Sequence, residues 1–362
     1  MDALRTGLSY GDVLLVPQRS PVESRSHVDL STRLTDSIEL ETPLLSAPMD
    51  TVTESETAIS LARAGGFGTI HRFMSVDEQA AEVRAVSRAD EPVGAAIGIN
   101  EDYLDRTEAV RKAGADCVMM DVAHGHLESC LTAVERVRDE FGADPDLIVG
   151  NVATPEGVED LYGAGADGVK VGIGPGSHCT TRKVAGAGVP QLTAVDDCAE
   201  RAHELGVPIV ADGGIRCSGD AVKALMAGAD TVMMGSLFAG TAEAPGELIE
   251  RDGRQYKRSR GMATTAANER RTDKDEGAPA ADEGVEGLIE YKGPVAEITA
   301  EFAAGIRSGL SYCGGHTIPE ARSNAEFVRV APSAREREGA HSDDDWESVT
   351  VENGVARPAR GD

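Results

Sequence analysis

The sequence predicts an α/β chain closed into a (β/α)8, or TIM, barrel, and three observations carry that reading. Eight short apolar runs alternate with segments of helical periodicity. The runs are continuous, as in parallel strands covered on both faces, and all eight lie between residues 43 and 236. Aromatics make up only 4% of the 362 residues while alanine, glycine and aliphatics dominate, which suits alternating strands and helices better than an all-β sandwich. A doubly wound sheet is the runner-up, but no GxGxxG opens a helix after an early strand.

In chain order, residues 1–40 form an N-terminal extension and the barrel is expected over 41–333. Its strand runs are PLLSAPMD (43–50), GGFGTIH (65–71), VGAAIGIN (93–100), DCVMMDVAHG (116–125), DLIVGN (146–151), DGVKVGIG (167–174), VPIVADGG (207–214) and DTVMMGS (230–236). Between them lie helical patterns such as TAISLARAG, YLDRTEAVRKAG and TAVDDCAERAHELG, several closing on Ala-Gly or Leu-Gly as a C-terminal stop. Residues 250–292 lack apolar periodicity and are crowded with charge, glycine and alanine; such an insertion reads as a mobile active-site flap or a disordered loop. Helical periodicity returns over 293–312, and the acidic tail 334–362 reads as solvated and poorly ordered.

Charge narrows the function classes. There are 62 acidic against 35 basic residues, a net charge of −27, which disfavours a nucleic-acid-binding role, since that needs a basic patch. Only seven of the basic residues are lysine, and an acidic, arginine-over-lysine surface fits a high-salt cytosol, so a halophilic protein is expected. No long apolar run or secretory leader is present, which points to a cytoplasmic protein with no membrane partner. The six cysteines show no CxxC spacing, so neither a zinc site nor a disulfide framework is indicated.

In such barrels chemistry collects at the C-terminal ends of the strands. Those ends carry Ser46, Met49 and Asp50; His71; Asp121 and His124; Asn151; Gly172, Gly174, Gly176, Ser177 and Cys179; Asp212, Gly213 and Gly214; and Gly235 and Ser236. Three adjacent glycine-rich ends offer backbone N–H groups to a phosphate, with the Ser177 hydroxyl beside them, although glycines also close tight turns for steric reasons alone. Cys179 follows such a turn, where an exposed thiol is a candidate nucleophile; Arg182 is the candidate cation beside it and Thr181 a candidate hydrogen-bond partner. Four or five of the six cysteines read as small buried hydrophobes.

Taken together, LSYGDVLLVP, SAPMDTVTE, GGFGTIHR, GNVAT, GIGPGSHCTTR, GVPQLTAV, ADGGIRCSGD, MMGSLFAG and EGVEG occur in family order, and from about residue 7 to 330 the chain resembles the IMP dehydrogenase and GMP reductase family. The resemblance implies a homotetrameric barrel in which Cys179 attacks C2 of a purine nucleotide, GMP or IMP, and forms a covalent thioimidate. By motif position Ser46, Met49, Asn151, Ser177, Asp212, Gly213, Gly214, Gly235 and Ser236 would hold the nucleotide, together with Gly261, Met262, Glu283 and Gly284 of the flap. Asp121, Ala123 and His124 would meet the nicotinamide cofactor, and carbonyls of Gly174, Gly176 and Cys179 would ligate a potassium ion.

Two reactions share that intermediate in the family. A dehydrogenase oxidises IMP with NAD and hydrolyses the adduct to XMP, using an Arg-Tyr pair on the flap; a reductase expels ammonia from GMP and reduces the adduct with NADPH. Here Val93 lies only 22 positions after His71, so the regulatory CBS pair is absent, and the flap ATTAANERRTDKDEGAPAADEG holds no Arg-Tyr pair. Losing a water-activating base removes about 10²- to 10⁴-fold of general-base help from hydrolysis. Both departures favour the NADPH-dependent reductase, with Thr181 at the leaving group and Glu269 or Glu283 as proton partner. DVAHGH and GVPQLTAV look more like dehydrogenases, and Thr265 stands where reductases place a glutamate, so the NAD-dependent dehydrogenase is the alternative. A catalytically silent nucleotide-binding barrel is the third reading.

Overall fold

Eight parallel strands close into the expected ring: β1 (Leu44–Ser46), β2 (Phe67–Ile70), β3 (Val93–Ile97), β4 (Cys117–Asp121), β5 (Asp146–Val152), β6 (Gly168–Val171), β7 (Ile209–Asp212) and β8 (Thr231–Met234). The last strand pairs with the first through Val232↔Leu44, Met233↔Leu45 and Met234↔Ser46. The computed structural model describes residues 4–100, 102–264, 284–337, 349–352 and 355–358. Met1–Val328 form one compact unit and Arg329–Asp362 another. No helix among the described residues is long and apolar enough to cross a membrane.

The strands bury both faces, and the period of two decides which side chain goes where. Leu45, Met119, Ile148, Val210 and Met233 pack together inside the ring, with Leu34 and Leu40 of the N-terminal extension against them. Their neighbours Leu44, Val118, Met120, Leu147, Val149, Ile209, Ala211 and Val232 belong to the larger cluster shared with the helices. Continuing the inward parity by two residues from Met119 and Val210 reaches Asp121 and Asp212, one layer above the apolar plug. Lys170 has the same inward parity on β6, between Val169 and Val171 of the outer cluster.

Helices α1 (Ser55–Arg63), α2 (Val76–Arg88), α3 (Tyr103–Ala113), α4 (Glu128–Phe141) and α5 (Pro155–Ala164) follow β1 to β5 in turn. After β6 come the short α6 (Thr181–Val184) and α7 (Gln191–Leu205), then α8 (Ser218–Met226) after β7 and α9 (Val295–Tyr312) after the flap. Ser75 and Glu78 close a capping box on α2, and Thr154 with Pro155 starts α5. The Ala-Gly and Leu-Gly stops act as read: Gly114, Gly165 and Gly206 cap α3, α5 and α7 in left-handed conformation.

The described ends of 250–292 are ordered, where the sequence read as a mobile active-site flap or a disordered loop. They form an antiparallel sheet of β9 (Ile249–Arg251), β10 (Arg254–Arg260) and β11 (Glu286–Glu290), with Tyr256↔Glu290 through Arg260↔Glu286 in register. Polar contacts fix it: the buried Lys257 ammonium donates to the carbonyls of Ala242 (2.9 Å) and Ala244, and Lys292 to those of Ser236 (2.8 Å) and Leu237 (3.1 Å). A strand anchored by lysines on carbonyls carries no alternating apolar signal, which is why the pattern read as irregular. In the second unit the tail forms a helix at Pro332–Arg337 and a hairpin of Val349–Glu352 with Val355–Pro358; the rest of the expected disordered stretch lies outside the described residues.

Candidate active site

Two cavities open at the C-terminal rim and meet at Cys179. The larger, about 680 Å³, is lined by Arg72, Phe73, Asn100, Asp121, Ala123, Asn151, Lys170 and Thr181; the smaller, about 380 Å³, by Met49, Ser177, Gly214, Arg216, Gly235, Ser236 and Gly261. Cys179, Pro175, Gly176, Asp212, Gly213 and Met262 line both. Both volumes lie in the range of small-molecule sites.

Backbone chemistry delivers the thiol. Gly172 has φ +150°, and a Cβ there would lie 2.2 Å from the Asp212 carbonyl oxygen, so only glycine lets the β6 loop pass that close to β7. The Cys179 N–H donates to Gly176 O at 3.1 Å, tightening the turn, and the exposed thiol donates to Thr181 Oγ1 at 3.2 Å. Arg182, the cation expected near the sulfur, is engaged with backbone carbonyls of the loop. Its guanidinium turns back onto the loop and donates to Val189 O at 2.6 Å.

The flap closes on the same loop from the other side. Cys179 forms a β-bridge with Gly284, Val285 N–H donates to His178 O (3.1 Å), and Gly261 N–H donates to Val285 O (3.0 Å). The His178 ring lies between two hydroxyls, Ser177 Oγ at 3.2 Å from Nδ1 and Ser259 Oγ at 3.1 Å from Nε2. Burial pushes its pKa below the ordinary imidazole value, so the neutral ring is favoured. Arg260, 7% exposed, grips Asp50, 4% exposed, with Nε at 3.1 and 3.0 Å from the two carboxylate oxygens and a further bond from Nη2. This buried pair ties the end of β10 to the loop after β1.

Beneath the cavities lies a polar layer centred on Lys170. Its ammonium donates to Asp121 Oδ1 and Asp212 Oδ2, each at 2.7 Å, and to Asn151 Oδ1. Burial alone would push this lysine down, but the two carboxylates outweigh it and hold the pKa well above the usual lysine value. Asn151 Nδ2 in turn donates to Asp212 Oδ2 (2.9 Å) and Gly172 O (2.7 Å), and Gln191 Nε2 to Val171 O (2.8 Å) and Asp212 O (3.1 Å). Asp212 is thus held at both its carboxylate and its backbone.

Residues 7–341 match the model of the IMP dehydrogenase / GMP reductase domain. The chain belongs to that family. It is 37% identical to an inosine-5'-monophosphate dehydrogenase of Nitrosopumilus maritimus over 459 aligned positions (90% of this chain, 96% of the relative). It is 35% identical to a GMP reductase of Leishmania donovani over 481 positions (94% and 98%). A solved GMP reductase from Trypanosoma brucei, a cysteine-to-alanine variant in complex with guanosine 5'-monophosphate, superposes with a TM-score of 0.89 at 33% identity, covering 94% of this chain and 98% of that one. The protein is therefore an oxidoreductase of this family, built on its barrel. Both alignments run over more positions than this chain has residues, so relatives named for either activity carry insertions that it lacks.

Most residues expected from the family motifs come together at the rim. Met49, Ser177, Asp212, Gly213, Gly214, Gly235, Ser236, Gly261 and Met262 line the smaller cavity; Asn151, Asp121, Ala123 and Gly174 line the larger; Gly176 and Cys179 line both. Gly284 sits against the cysteine backbone. Ser46 is not brought to either cavity: Leu45 points into the ring, so Ser46 points to the helix layer, where its hydroxyl accepts from Thr53 Oγ1 at 2.9 Å. His124 lines neither cavity and packs edge-on against His126. Glu269 and Glu283 lie outside the described residues. Sequence reading missed Lys170, Arg72, Phe73 and Asn100. Lys170 left one signal, a lone cation inside the apolar run DGVKVGIG, which a strand buried on both faces tolerates only when paired.

Proposed function

We propose that this protein acts at C2 of a purine nucleotide through a thioimidate on Cys179, and that it is an NADPH-dependent GMP reductase, converting GMP to IMP and ammonia. The observation that carries the reading is the position of the thiol: a nucleotide in the smaller cavity and a dinucleotide in the larger would meet at the Cys179 sulfur. The glycine-rich ends at Gly214, Gly235 and Ser236 suit a phosphate, and Asp212 suits ribose hydroxyls. The larger cavity fits a dinucleotide in the same terms, with the Asp121 carboxylate for hydroxyls and the Asn100 amide for a carboxamide.

The sulfur of Cys179 bonds to C2, the bond from C2 to the exocyclic nitrogen breaks, and ammonia leaves. Thr181, already 3.2 Å from the sulfur, hydrogen-bonds at that leaving group, and Glu269 or Glu283 supplies its proton. Held in the larger cavity, whose lining includes Asp121, Ala123 and Asn100, NADPH would supply the hydride to C2 and be oxidised to NADP+. The C–S bond then breaks, returning the cysteine and releasing IMP. The direction rests on the flap: the sequence from Ala263 to Glu283 holds no tyrosine to activate water for hydrolysis.

The reading extends to a potassium ion on carbonyls of Gly174, Gly176 and Cys179. Gly176 O accepts from the Cys179 N–H and keeps a second lone pair for a cation. It extends further to a cytoplasmic homotetramer adapted to high salt. Two assays in high KCl test the direction, NADPH oxidation with GMP and NAD reduction with IMP. Ammonia released in the first supports the reductase, while XMP formed in the second overturns it in favour of the dehydrogenase. Nucleotide binding with turnover in neither supports the silent barrel. Cys179→Ala is expected to abolish turnover, and activity above a few per cent removes the nucleophile assignment.

A further inference from the structure

We propose that Lys170 is a positioning residue that couples the two cavities, so that a nucleotide and a dinucleotide reinforce each other's binding; the identity of the two ligands rests on the functional reading above. Lys170 is 1% exposed, and its three N–H bonds meet three oxygens, those of Asp121, Asp212 and Asn151. Room for this arrangement is built into β5. A Cβ at Gly150 would lie 2.5 Å from the Lys170 carbonyl oxygen and 2.6 Å from its Cβ, so a side chain there would push β6 and its lysine away.

The two carboxylates come from β4 and β7, with β5 and β6 between them in the ring, yet they share this one cation. Asp121 lines only the larger cavity, whereas Asp212 also lines the smaller. Each spends one oxygen on Lys170. Asp121 Oδ2 and Asp212 Oδ1 have no partner among the described residues and are left for a ligand hydroxyl. A hydroxyl bound at one of them fixes the rotation of that carboxylate, and Nζ, saturated and excluded from water, transmits the restriction to the other. The second ligand then meets an ordered acceptor and loses less conformational freedom in binding, which is positive coupling without a change of fold. Direct contact of the two ligands at Cys179 would couple them with or without the lysine, so the share that passes through Lys170 is the part of the coupling its substitution removes.

The test uses the full chain carrying Cys179→Ala in high KCl, where no turnover intervenes, and titrates GMP calorimetrically with and without saturating NADP+. GMP is expected to bind at least about 5-fold more tightly when NADP+ is present, the lower end of ordinary coupling. Adding Lys170→Met is expected to remove that factor and to weaken each ligand alone about 10-fold. Asp121→Asn, a smaller change confined to the larger cavity, is expected to weaken GMP in the other cavity and to reduce the coupling, and it decides the matter if Lys170→Met does not fold. Independent binding in the parent, or coupling unchanged in the variants, overturns the proposal while the functional reading stands. A parent that binds neither GMP nor IMP overturns that reading, and the coupling with it.

Discussion

The bond between flap and barrel yields the sharpest stability prediction. Asp50→Ala removes the carboxylate whose two oxygens lie 3.1 and 3.0 Å from Arg260 Nε, in a pair that is 4% and 7% exposed. Breaking a buried pair leaves an uncompensated charge and costs about 3–5 kcal/mol, a third or more of the stability of many domains. Because the pair is shielded by protein, the loss is expected to persist in molar KCl, where the Debye length is about 3 Å and a surface pair would be silent. The double variant Asp50→Leu with Arg260→Met is expected to recover most of it, since no charge is then stranded. Guanidinium chloride unfolding of the three proteins at constant ionic strength is the assay. A single-variant loss below about 1 kcal/mol, or a double variant no better than the single, refutes the assignment of this pair as the flap's anchor.

Three further outcomes are expected. Thr181→Val keeps the side-chain shape but removes the hydroxyl beside the sulfur; a hydrogen bond to a charged group is worth about 1.5–3 kcal/mol, so kcat falls about 10- to 100-fold with KM nearly unchanged, and an unaltered kcat sinks the role. His178 is held below the ordinary imidazole value by burial, so its contribution to stability is full above about pH 6.5 and lost as pH falls, the unfolded chain taking up the proton first. His178→Asn should flatten that slope in pH-dependent melts, and an identical slope removes the argument. With a net charge of −27, unfolding free energy should rise from dilute buffer to molar KCl as self-repulsion is screened; equal stability in both contradicts adaptation to salt.

The barrel was legible because its strands are continuous apolar runs bounded by glycine, and each of the eight runs contains its strand or nearly all of it. The rim was legible for the same reason: glycine and aspartate at the end of an apolar run have few other places to go. Ser46 shows where end-of-strand reasoning fails, since neighbouring residues in a strand face opposite ways and only Leu45 faces inward. Arg182 is another case, because nothing local shows that its guanidinium caps the carbonyl of Val189. Lys170 with Asp121 and Asp212 joins three strands, and which carboxylates a buried lysine meets is settled only by the closure of the ring. The flap sheet escaped because lysines on carbonyls, not apolar alternation, hold it in place.

The flap leaves and re-enters the fold at one point: Arg260 pairs with Glu286, Gly261 with Val285, and Gly284 with the cysteine itself. A chain segment whose two ends are stitched together behaves as a cassette. Its length and composition are free to drift or be exchanged while the thiol, the cavities and the ring beneath them keep their coordinates. On the proposed function, in which the flap sets the direction, the choice between the two half-reactions would be written in this segment and not in the barrel.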